Sequence, residues 1–222
     1  MQHWWSRLIR RVVPNQARGL RPITEHIPTM VIRFDFDARK AAEAMAYLVS
    51  RLEGQKTDKV KLMKLLYLAD RDHFLEEGRP VTGDDQYAMP FGPVPALSLD
   101  LLDGQFEIKD DGGIFTFLQT QDHEVSLKEF PARPELTSSE IRVLDAVINR
   151  YGSMSTWQLR DYTHQLPEYR EVFRPGTSTR IPFELILKTY SAEKLFRHNR
   201  PVITAAMAAN MLCPFPRSDT DL

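Results

Sequence analysis

The chain has 222 residues, 42% hydrophobic and 27% charged, a balance typical of a soluble globular protein and too apolar for a disordered one. Its 29 Lys and Arg face 30 Asp and Glu, a net charge of -1, which argues against an overall electrostatic grip on nucleic acid. The single cysteine, Cys213, rules out an internal disulfide and a thiolate zinc site and points to a cytoplasmic protein. No apolar run approaches the roughly 18 residues of a membrane span.

The first thirty residues stand apart. They carry Arg7, Arg10, Arg11, Arg18 and Arg21 against Glu25 alone, whereas the remainder from Val31 holds 24 basic and 29 acidic residues. Trp4, Trp5, Leu8, Ile9, Val12 and Val13 share one face of a short helix with arginines around it. Such a basic amphipathic helix is suited to a membrane surface through residues 3–13. Residues 1–30 are therefore read as a basic extension, disordered or preceding a true start at Met30, and dispensable for folding.

From Phe34 onward the spacing predicts regular structure. Asp35 or Asp37 can cap an Ala-rich helix over Ala38–Val49, with Gly54 placed to stop it in the left-handed conformation. Thr57 caps and Gly78 ends the next helix. Over Leu62–Ala69 its only charged side chain is Lys64, so it should be the central, buried helix, while its polar end Asp70–Glu77 should surface. Tyr87–Met89 reads as a strand before a rigid Pro90–Pro95 turn, followed by a short helix over Ala96–Asp103 that stops at Gly104.

Ile114–Gln119 and Glu124–Lys128 alternate as a hairpin turning near Gln121–His123. Capping boxes at Thr137 and Ser155 open two helices, the first carrying Ile141, Leu144, Val147 and Ile148, the second Trp157, Leu159 and Tyr162. Further helices are predicted over Phe183–Tyr190 and Thr204–Leu212, and 214–222 is a loose tail. The fold class is a mostly helical α+β single domain over 31–213, a central buried helix with a small antiparallel sheet.

Chemistry is scarce. Asp70 and His73 can share a helix face, but Asp72 points elsewhere and no third ligand follows at a fixed spacing. His164 with Glu168 has the same shortfall. No nucleophile elbow, phosphate-binding loop, HExxH or dinucleotide fingerprint occurs, so no catalytic set, metal or cofactor is expected and the chain is read as a non-enzyme. The pair of helices over 138–164 has helix-turn-helix spacing, with Gln158, Arg160 and His164 positioned for base edges. Its charge is balanced, which makes it a poor phosphate binder and transcriptional regulation the alternative reading.

Lys61-Leu62-Met63-Lys64-Leu65-Leu66-Tyr67, then Gly78-Arg79-Pro80, then Gly92-Pro93-Val94, resembles the Panacea domain of SocA-like antitoxins in order and spacing. The resemblance covers about Phe36 to Tyr190. It implies an antitoxin that neutralises a neighbouring-gene toxin by direct complex formation, with no catalytic set to carry over. The cognate toxin is the expected partner, alongside a homo-oligomer and a membrane contact through residues 3–13. Arg71, His73, Tyr87 and Phe91 are the candidate partner-binding residues, since Arg and aromatic side chains dominate interface energetics.

Overall fold

The computed structural model describes residues 31–105, 117–131 and 134–190. The predicted helices over 3–13 and 204–212, Cys213 and the tail lie outside these residues. In chain order come α1 (Ala38–Ser50), a 3-10 turn (Glu53–Gln55), β1 (Lys56–Asp58), α2 (Lys59–Glu77), β2 (Gln86–Met89), β3 (Gly92–Pro95) and α3 (Ala96–Leu102). They are followed by β4 (Leu118–Gln121), β5 (Glu124–Leu127), α4 (Ser138–Tyr151), α5 (Thr156–His164), α6 (Pro167–Val172), β6 (Thr179–Ile181) and α7 (Phe183–Thr189). The described residues are mostly helical with two small antiparallel sheets, ordered β1-β5-β4 and β3-β2-β6.

α2 is the spine. Leu62, Leu65, Leu66, Tyr67 and Ala69 have no exposed surface, because α1, α4, α5 and β3 pack around the helix on successive faces. α1 lends an Ala-rich face that permits close approach, with Ala41, Ala42, Ala44 and Ala46 fully buried. At the far end of α2, Phe74 meets Phe34 and Phe183 at ring-centroid distances of 5.9 and 4.7 Å.

Local rules set most boundaries. Asp37 accepts from the Lys40 N–H at the start of α1, and both capping boxes are formed. Gly78 ends α2 at φ 77°. Other boundaries differ from expectation. Thr57 lies in β1 opposite Val125, and Asp58 caps α2 instead, accepting from Val60 and Lys61 N–H groups. α1 closes at Arg51 in ordinary helical conformation, and Gly54, left-handed at φ 65°, serves the 3-10 turn beyond it.

The Pro90–Pro95 turn contracts to Pro90-Phe91, since Gly92–Pro95 is itself a strand paired with β2. Tyr169 and Lys64 side chains bond the backbone of that hairpin, which is why it lies flat on the helices. The second hairpin turns at Asp122-His123, with Asp122 at φ 54°. β1, β6 and α6 were not expected: strands of three residues are too short for any alternation to show.

Candidate functional site

Side chains one turn apart on α2 reach three separate parts of the chain. The Lys64 ammonium, 1% exposed, donates to the Pro93 carbonyl at 2.8 Å. Burial strips it of water and lowers its pKa to about 7. Gly92 makes this contact feasible: at φ +99°, a Cβ there would lie 2.8 Å from Lys64 Cε and 2.9 Å from Thr163 Oγ1. One turn on, Tyr67 donates to Glu168 at 3.0 Å and Arg71 to the same carboxylate at 2.5 Å. Burial opposes the Arg71 charge, and the Glu168 carboxylate more than compensates, so the guanidinium stays ionised.

The opposite side of α2 holds the returning loop. Asp70 accepts from the Thr82 N–H at 2.9 Å, the Thr82 hydroxyl at 2.6 Å and the Gln86 amide at 2.9 Å. Two residues beyond Thr82, Asp84 accepts from the Ser98 N–H at 2.6 Å and the Leu97 N–H at 3.1 Å, satisfying the first turn of α3 from a distance. Burial raises Asp70 to about 7 and Asp84 to about 6. Gly83 between them, at φ +74°, passes so close to Asp35 that a Cβ would lie 2.1 Å from its carbonyl oxygen.

The expectation that Asp70–Glu77 surfaces is therefore corrected. Asp70 and His73 are wholly buried, because Arg79–Gln86 folds back over one side of α2 and the start of α4 covers the other. His73 bonds the Arg79 carbonyl at 2.7 Å and lies 3.3 Å from the Ser139 hydroxyl. Asp70 and His73 bond different groups and form no common site, and Asp72 pairs with Arg71 at 3.2 Å. Among the described residues no group of three or more His, Cys, Asp or Glu is placed to hold a metal ion. Of the four candidate contact residues, Arg71 is 12% exposed and His73 is buried, while Tyr87 and Phe91 are half-buried.

Phe91 lines a groove of about 610 Å³. Val60, Met63, Val94 and Leu99 give it an apolar lining, the exposed Trp157 stands at its mouth, and Asp58, Lys59, Lys64, Asp103, Asp122 and His123 line its polar parts. Lys59 pairs with Asp103 across it. Trp157 is 59% exposed, with the Arg160 guanidinium 4.9 Å over its ring. The sequence reading placed Trp157 among the apolar residues of its helix, yet Leu159 two positions away is fully buried. Two positions are about 200° around a helix, so burial of Leu159 sends Trp157 outward.

The polar residues of α5 are engaged within the chain. Gln158 accepts from the Ser155 N–H, Arg160 pairs with Asp161 at 2.5 Å, and the His164 ring stacks on Tyr169 at 4.8 Å. Among the described residues no helix is long and apolar enough to cross a membrane.

The family model described as "Antitoxin SocA-like, Panacea domain" matches residues 62–169, just under half of the chain. The match runs from the core of α2 through the groove to Tyr169. No curated protein and no solved structure matches the chain.

Proposed function

We propose that the chain, whose residues 62–169 match the Panacea domain of SocA-like antitoxins, neutralises a toxin encoded beside it by binding the toxin directly, inside the cell and without catalysis. The observation that carries the reading is the apolar groove with Phe91 and Trp157 at its rim, built largely from the matched segment. An exposed tryptophan beside a concave apolar floor is the kind of anchor on which a few residues supply most of the binding energy. Tyr87, half-buried on the neighbouring strand, extends the contact face, while Arg71 and His73 hold the scaffold beneath it. Burial of the polar groups of α2 supports a binding role, since those groups are spent on one another and on backbone.

Co-expression of the neighbouring gene with and without this protein, followed by pull-down, tests the reading. Growth should be rescued and the two proteins recovered together. Phe91→Ala with Trp157→Ala should weaken complex and rescue in parallel, by at least about tenfold in affinity for a lost aromatic anchor pair. Rescue lost with the complex intact would return the chain to the enzymes.

A further inference from the structure

Lys64 lines the groove and is buried there without an opposite charge. We infer that the groove is a binding site for a small apolar carboxylic acid, whose hydrocarbon part lies on Val60, Met63, Val94 and Leu99 and whose carboxylate meets the Lys64 ammonium. The inference goes beyond toxin binding and does not rest on it. An ammonium carries three donors, and among the described residues one acceptor meets them, the Pro93 carbonyl at 2.8 Å. Among the same residues no carboxylate pairs with Lys64, and burial is the cause of its lowered pKa. A cation that is 1% exposed and lacks a counter-ion is costly, and an anion brought to it offsets that cost.

The carboxylates of the groove are engaged elsewhere or stand in water. Asp58 accepts from the Val60 and Lys61 N–H groups of its own helix, and Asp103 is held by Lys59. Asp122 is exposed, where water and salt screen it. On α5, His164 faces the same positive field: its pKa is lowered by burial and by the Lys64 charge. α5 also opens at the groove with Thr156 and Trp157, so the positive end of its dipole adds to that field. The space suits a small ligand. A volume of about 610 Å³ lies within the range of roughly 300–1,000 Å³ common to sites for small organic molecules. Pro93, the present acceptor of Lys64, sits in a hairpin segment whose Phe91 and Val94 line the groove, so the ammonium lies directly behind that lining.

Titration calorimetry of the full chain with 4-phenylbutyrate, against the neutral isostere 4-phenylbutyramide, tests the site. The acid should bind at least about tenfold more tightly than the amide, because only the acid forms a charge-assisted bond to Lys64. Binding should also take up a proton. Lys64 is largely neutral at pH 8, and a carboxylate beside it restores the charge. Titrations at that pH in two buffers of different ionisation enthalpy should therefore show uptake of more than about half a proton per acid bound. His164 titrates too low to contribute. Lys64→Met, which keeps the length and apolar stem of the side chain, should abolish both the preference for the acid and the proton uptake. Equal affinity for acid and amide would overturn the proposal, as would an acid that fails to bind at millimolar concentration. Binding without proton uptake, or a preference that survives Lys64→Met, would overturn it too. The acid–amide comparison and the proton count are made on the unaltered chain, so they decide the matter even where Lys64→Met fails to fold. No toxin enters the experiment, and its failure leaves the neutralisation reading standing.

Discussion

Asp70 shows what one buried carboxylate does to the pH dependence of the whole chain. Its three donors favour the ionised form, but burial outweighs them and raises the group from 3.8 to about 7. Between pH 4 and 7 the folded state therefore holds more protons than the unfolded chain, and stability from this group is lost as pH rises through that window. Asp84, raised to about 6, acts in the same sense. Lys64 is lowered from 10.5 to about 7, so its contribution is present above the unfolded value and lost as pH falls through the folded one. Asp70→Asn should flatten the fall in melting temperature between pH 4 and 7, whatever it costs overall. An unchanged slope in thermal melts would show that Asp70 stays ionised throughout.

Gly83 is a sterically absolute position: the Asp35 carbonyl occupies the space of a side chain. Gly83→Ala should cost at least about 1–3 kcal/mol in urea unfolding, since the left-handed φ and the clash act together.

The two capping boxes of α4 and α5 make a controlled comparison between elements. That of α5 is exposed: Ser155 and Gln158 satisfy each other's backbone and nothing more. That of α4 is tied into the interior, because Glu140, fully buried, also accepts from Lys40 at 3.1 Å and Arg79 at 3.0 Å. Burial alone would raise the Glu140 pKa, but the Thr137 N–H and the Lys40 ammonium hold it below the ordinary range. Ser155→Ala should cost about 1 kcal/mol. Glu140→Ala should cost more, about 3 kcal/mol, because it empties a buried site and takes the counter-ion from the largely buried Lys40, while the exposed Arg79 loses little. Chemical denaturation of the two variants side by side checks the ranking.

At the scale of the molecule, the residues that hold the core and those of the proposed contact face are different. Leu66 is wholly buried in the central helix, and Leu66→Ala should cost about 2–5 kcal/mol. Trp157, 59% exposed, should cost less than about 1 kcal/mol on substitution by alanine while weakening the toxin complex. Melting curves and pull-downs on both variants separate the two roles. A large loss of stability in Trp157→Ala would mean that the ring holds α5 against the groove and is no free anchor.

Much of the architecture is legible in the residues themselves. The apolar Leu62–Ala69 run required a buried central helix, the Thr137 and Ser155 boxes marked two helix starts, and Gly78 marked a stop, because each rests on interactions within a turn or two of chain. Phe91 and Tyr87 also stood out as aromatics beside a proline-rich turn. What packs against what is set by distant chain. Asp70 and His73 looked like a solvated helix end, and only the return of Thr82 and Gln86 and the approach of Ser139 buried them. Lys64 looked like a lone charge in an apolar run until Pro93 arrived to accept from it. Trp157 looked like core until the burial of Leu159 fixed the rotation of α5. Periodicity reports the face a helix offers, and only the tertiary fold decides which neighbour takes it, because a polar group in the interior is tolerated only where a partner from elsewhere in the chain meets it.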